Sequence, residues 1–113
     1  MSYSEWVLEL QDKEKIMAKG YWISAYREII DVTKLAAYAE LAAPAVIANG
    51  GRFLVRGGQM KAKEDGVEQR TVVVEFDNFD TAVATYESDA YKAALKKLQG
   101  GVVRDFRIVE GVD

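Results

Sequence analysis

The sequence predicts a single α+β domain in which two helices cover one face of a four-stranded antiparallel sheet. Three observations predict it. Aromatic and β-branched residues gather into four runs, the composition that favours strands. After the first and third runs, apolar residues recur at spacings of three and four, the mark of an amphipathic helix. The chain has 113 residues, half of them apolar and 29% charged, enough for one core but not two.

The elements follow in order. Residues 1–18 read as an appendage, with Ser4 able to cap a short helix carrying Trp6 and Leu10, and the domain proper as residues 19–113. Gly20 to Ile30 is the first strand. Asp31 or Thr33 caps a helix whose apolar side holds Leu35, Tyr38, Leu41, Ala42 and Ala45. Pro44 removes the bond to the Glu40 carbonyl, so a kink or local loosening is expected there, and Asn49-Gly50-Gly51 stops the helix. Arg52 to Arg56 is the second strand. Gly57-Gly58 suggests a bulge or bend, Gln59 to Lys63 continues the strand more weakly, and Glu64-Asp65-Gly66 has turn chemistry. Arg70 to Phe76 is the strongest strand. Asp77 or Asn78 caps a helix with Phe79, Val83 and Tyr86, and Ser88 ends or bends it and can cap a continuation with Tyr91, Leu95 and Leu98. Gly100-Gly101 stops that helix, and Val102 to Val109 is the last strand. The order β-α-β-β-α-β is the split-βαβ, ferredoxin-like arrangement.

Composition narrows the chemistry. With 15 basic and 18 acidic residues the net charge is −3, which gives no reason to expect nucleic acid as a partner. No apolar stretch approaches the roughly 20 residues that span a bilayer, and no basic region followed by an apolar block marks a leader, so a cytoplasmic protein without membrane contact is expected. The sequence has neither cysteine nor histidine. That excludes thiolate nucleophiles and zinc–sulfur sites, and it removes the side chain most used for proton transfer near neutral pH. No cofactor and no metal are expected.

Two helices leave one sheet face uncovered, and period-2 alternation predicts what lies on each. Tyr21, Ile23 and Ala25, Phe53 and Val55, Val72, Val74 and Phe76, and Phe106 and Ile108 are expected under the helices. The other face is then a mixture of Trp22, Ser24, Tyr26, Arg52, Leu54, Arg56, Thr71, Val73, Glu75, Asp105, Arg107 and Val109. One bulge within a strand would invert its assignment. Large apolar groups on an open face usually mark an interface or a ligand groove. A homodimer with two such faces packed together is expected.

Several blocks of the sequence also resemble a known family. Met17-Ala18-Lys19-Gly20-Tyr21-Trp22, Tyr38, Gly50-Gly51-Arg52-Phe53-Leu54-Val55-Arg56-Gly57-Gly58, Arg70 to Phe76, Tyr86-Glu87-Ser88-Asp89-Ala90-Tyr91 and Ile108-Val109-Glu110-Gly111 are similar to a small bacterial family called domain of unknown function 1330. The resemblance spans roughly residues 17–111. It implies a dimeric α/β barrel built from two ferredoxin-like sheets, and it implies no established reaction. In the wider superfamily are cofactor-free monooxygenases, small isomerases and haem-binding enzymes. Relatives commonly begin near the position of Met17, and an arginine frequent late in their second helical region is replaced around Leu98.

Candidate site residues follow from the mixed face. Arg52, Arg56 and Arg107 could clamp an anionic ligand or pair with Glu75 and Asp105. Trp22 and Tyr26 could stack on a ring or simply pack. Glu75, between the apolar Val74 and Phe76, could carry a raised pKa and act as a general base. Gly50-Gly51 and Gly57-Gly58 lack the strand-to-helix context of a phosphate loop. The function these readings predict is binding of a small molecule in or beside the barrel. The alternatives are a cofactor-independent enzyme using carboxylate and arginine residues, and a purely structural homodimer.

Overall fold

The computed structural model describes residues 18–112. The expected Ser4-capped helix with Trp6 and Leu10 lies outside the described residues. The elements are β1 (Gly20–Ile29), α1 (Val32–Ala48), β2 (Arg52–Arg56), β3 (Thr71–Phe76), α2 (Phe79–Glu87), α3 (Asp89–Leu98) and β4 (Val102–Glu110). The four strands form one antiparallel sheet in the order β2-β3-β1-β4, the ferredoxin-like topology.

Short polar side chains set the helix starts. Asp31 accepts from the backbone N–H groups of Thr33 and Lys34 at 2.9 and 3.2 Å, and Asn78 accepts from Thr81 at 2.8 Å. Ser88 closes α2 and opens α3, where its hydroxyl accepts from the Tyr91 N–H at 3.3 Å. Each such cap contributes about 1 kcal/mol. α1 runs from Val32 to Ala48 through Pro44 without interruption. Glu40, whose carbonyl loses its intrahelical partner, is an exposed residue, so water can satisfy that group. Gly50, at φ 80°, takes the left-handed position that ends the helix.

The connection 57–70 forms no strand, contrary to the expected weak continuation over Gln59 to Lys63. Gly57, at φ 69°, turns the chain out of the sheet, and its N–H makes a last bond to the Thr71 carbonyl at 3.0 Å. Beyond it Gln59 to Lys63 has no neighbouring strand to pair with. The expected turn is present: the Gly66 N–H donates to the Lys63 carbonyl at 2.9 Å.

Two strands present their faces differently from the alternation expected of them. In β1, Trp22, Ser24 and Tyr26 are buried under the helices, while Tyr21, Ile23 and Ala25 are half-buried on the open face. The physical reason is the size of Trp22. Its ring lies 4.8 Å from that of Tyr91, 5.1 Å from Phe76 and 5.3 Å from Phe106, and its indole N–H donates to the Ala82 carbonyl at 2.9 Å. That contact satisfies the one polar atom a buried tryptophan must place. In β2 the register shifts between Phe53 and Val55: Phe53 pairs with Val74, then Val55 with Val73 and Arg56 with Val72. Leu54 is the extra residue of a bulge. Arg52 and Val55 therefore share the open face, and Phe53 and Arg56 share the helix face. β3 and β4 keep the expected assignment, with Val72, Val74, Phe76, Phe106 and Ile108 facing the helices.

Candidate functional site

The helix layer does not fill the space above the sheet evenly. α1 makes its most extensive contacts with α3, and it presents Ala36, Ala39, Ala42 and Ala43 towards β2 and β3. Methyl-sized side chains cannot reach the strands opposite. A cavity of about 290 Å3 remains between α1 and the sheet. That is close to the lower end of the usual range for small-molecule sites, roughly 300–1,000 Å3. Trp22, Val46, Phe53 and Val74 line its apolar end.

Its other end is polar. Arg56, Arg70 and Arg104 all line it, and among the described residues the lining contains no aspartate or glutamate. Arg104 pairs with Tyr26 across β4 and β1, and the Tyr26 N–H donates to the Arg70 carbonyl at 2.9 Å, so Arg70 and Arg104 flank Tyr26 on one face. Arg56 reaches the same face through the β2 bulge and lies over the Phe53 ring at 4.2 Å. The Arg104 guanidinium donates to Ser24, Tyr26 and Tyr38 at 3.3 Å each and to Tyr91 at 3.1 Å. The hydroxyls of Tyr38 and Tyr91 also contact each other at 2.5 Å. Burial works against the Arg104 charge, but Tyr38 and Tyr91 outweigh it and hold its pKa above the ordinary value. Burial first, and then Tyr38, pushes the Tyr91 hydroxyl well above its ordinary value. Tyr91 stays protonated and Arg104 stays charged.

The open face has a different electrostatic character. Arg52 binds Glu75 at 2.9 Å and Asp77 at 3.4 Å, and the Tyr21 hydroxyl donates to Glu75 at 3.0 Å. Arg107 binds Asp105 at 3.1 Å, with Arg27 at 3.9 Å from the same carboxylate. The hydrogen bond from Arg52, then that from Tyr21, holds the Glu75 carboxyl below its ordinary value of 4.5. The bond from Arg107 lowers Asp105 in the same sense. The raised pKa expected for Glu75 is thus replaced by a lowered one, because Val74 and Phe76, its neighbours in sequence, face the helices and its actual neighbours are donors.

Of the candidate residues, Trp22, Tyr26 and Arg56 come together at the cavity, and Arg52, Glu75 and Arg107 lie on the opposite face. Arg70, Arg104 and the Ser24–Tyr38–Tyr91 hydroxyls are the residues that sequence reasoning missed. Arg104 lies two positions before Phe106 and Arg70 two before Val72, so extending the same alternation by one step places both under the helices. Among the described residues, no group of three acidic side chains converges as a metal site would require.

Residues 19–112 match the family model for a domain of unknown function (DUF1330). No curated protein matches the sequence. Solved structures resemble the chain in fold. A protein of unknown function from Rhodopseudomonas palustris is 15% identical with a TM-score of 0.63, over 100% of this chain and 95% of that one. A Caulobacter crescentus protein provisionally named an antibiotic biosynthesis monooxygenase is 15% identical with a TM-score of 0.54, over 93% of this chain and 99% of the other. A hypothetical protein from Arabidopsis thaliana is 8% identical with a TM-score of 0.55, over 85% of this chain and 87% of its own.

Proposed function

The chain belongs to the DUF1330 family, a domain of unknown function, and from that premise we propose that it binds a small, largely apolar molecule in the cavity between α1 and the sheet. The cavity carries this reading. Well-packed interiors leave few voids larger than a water molecule, and this one is lined by aromatic rings, alanine methyls and a few convergent polar groups. Trp22 and Phe53 supply flat apolar walls, and the alanines of α1 keep the space open.

Titration calorimetry with 2-naphthalenemethanol, a neutral ring compound, tests the reading on the wild type and on Ala39→Phe. Binding is expected in the wild type, weakened at least tenfold when the new ring occupies the cavity. Absence of binding at millimolar concentration, or binding indifferent to Ala39→Phe, would overturn it.

A catalytic role for the same cavity has less support. Among the described residues its lining offers arginines and tyrosines but no carboxylate, and the nearby Tyr91 hydroxyl is pushed up by burial. Glu75 cannot serve the cavity from the other side of the sheet.

The proposal includes a homodimer formed through the open face. Ile23, Val55, Val73 and Val109 are apolar groups there that two helices cannot reach, and Glu75 and Asp105 already have cationic partners. Such a face can be covered without stranding a charge, which would otherwise cost about 3–5 kcal/mol. Light scattering coupled to size exclusion is expected to give twice the chain mass; a monomer at micromolar concentration contradicts it.

A further inference from the structure

We infer that the ligand of this cavity is an organic anion, a carboxylate on an apolar body, whose charged oxygens sit between Arg70 and Arg104 with Arg56 at the mouth. The inference rests on the cavity being a binding site and adds the class of molecule it takes.

The first support is a charge count confined to one place. The whole chain has a net charge of −3, yet among the described residues the cavity gathers Arg56, Arg70 and Arg104 and no acidic residue. Elsewhere the pattern is the reverse: Arg52 and Arg107, on the open face, each hold a carboxylate. A guanidinium taken out of water normally has a counter-charge, because leaving it unpaired costs several kcal/mol. Among the described residues Arg104 has only neutral hydroxyls as partners.

The second support is a count of hydrogens. The Arg104 Nη1, which has two hydrogens, lies 3.3 Å from the hydroxyl oxygens of Ser24, Tyr26 and Tyr38, and its Nη2 donates to Tyr91, so all four oxygens face a donor. A hydroxyl also carries one hydrogen to donate. Between Tyr38 and Tyr91 one hydrogen serves their mutual contact. The hydrogens of Ser24, Tyr26 and the remaining tyrosine have no protein acceptor among the described residues. The Arg70 Nε is likewise buried without a partner. The cluster has more donors than acceptors, and the group that complements it accepts only. A carboxylate does so, with about four lone-pair sites on two oxygens.

The third support is geometric. Adjacent strands lie about 4.8 Å apart, so two arginines flanking the Tyr26 strand are about 10 Å apart at the backbone. Arg104 reaches over Tyr26, its guanidinium 5.6 Å from that ring, and Arg70 starts from the strand on the other side; both line the cavity, where a carboxylate can meet them. Arg70 packs closely on Gly57, where a Cβ would lie within 2.2 Å of its Nη1, so the glycine lets the guanidinium settle against the backbone.

Calorimetry with 2-naphthoate beside 2-naphthalenemethanol tests the inference, since the two share a ring system and differ in charge. The acid is expected to bind about tenfold to a hundredfold more tightly than the alcohol, the range that charged hydrogen bonds supply. Arg70→Gln is expected to reduce that preference at least threefold. Arg104→Gln is expected to abolish it. If Arg104→Gln does not fold, Arg70→Gln alone decides. Equal affinity for acid and alcohol overturns the anion inference and leaves the cavity reading standing. A preference for the acid that survives Arg70→Gln overturns the placement of the anion. Absence of binding by either probe overturns both.

Discussion

The two faces of the sheet handle arginine in opposite ways. On the open face Arg52 binds Asp77 and its cross-strand partner Glu75, and Arg107 binds Asp105 two residues away on the same strand, so each charge is neutralised by a neighbour. On the helix face Arg56 lies over a ring and Arg104 meets rings and hydroxyls, and among the described residues no carboxylate joins them or Arg70 in the cavity lining. The same residue type has a structural use on one face and an unfinished coordination on the other. What distinguishes them is the partner, which composition does not record.

The largest expected effect concerns which face of β1 is buried. Trp22→Ala removes the ring at the centre of the aromatic cluster and should cost about 3–5 kcal/mol of stability in urea denaturation. A loss below about 1 kcal/mol would mean that Trp22 is not buried under the helices. Next is Gly20→Ala, whose Cβ would lie 2.5 Å from the Asn78 carbonyl oxygen, a backbone atom that cannot swing aside. It should cost about 1–3 kcal/mol by the same measurement. A neutral result there would break the close approach of β1 to the start of α2.

Smaller effects separate the paired arginines from the unpaired ones. Glu75 has a pKa lowered in the folded state, so its contribution is present above pH 4.5 and is lost as pH falls through the lowered value. Thermal melting should therefore show Glu75→Gln less stable than wild type at pH 7, with the difference vanishing near pH 2. A difference unchanged between those pH values would contradict the Arg52 and Tyr21 contacts. Tyr21→Phe, which removes one donor from the same carboxylate, should cost about 0.5–1.5 kcal/mol and leave probe binding in the cavity unaltered.

Much of this was legible in the sequence. The strands at Thr71–Phe76 and Val102–Glu110 show their helix-facing set in Val72, Val74, Phe76, Phe106 and Ile108, and the caps at Asp31, Asn78 and Ser88 stand where short polar side chains precede apolar periodicity. β1 was not legible, because both of its alternating sets are largely apolar, and only the packing of Trp22 against Tyr91 and Phe106 decides between them. Ser24 looks misplaced under helices until Arg104 is seen donating to it. β2 failed for another reason: the bulge at Leu54 turns Arg56 towards the helices and leaves Arg52 on the open face, and nothing in Arg-Phe-Leu-Val-Arg marks the extra residue. The candidate site was thus half legible. Trp22, Tyr26 and Arg56 were named for the face opposite to the one they occupy, and Arg70 and Arg104 were within reach of an alternation that stopped one step short.

The most direct measurement is a crystal structure of the protein with 2-naphthoate bound. The account predicts the carboxylate over Tyr26, within hydrogen-bonding distance of Arg70 and Arg104, with the rings running under α1 towards Trp22. A carboxylate held instead by Arg52 or Arg107 on the open face, with the cavity filled by side chains, would contradict it.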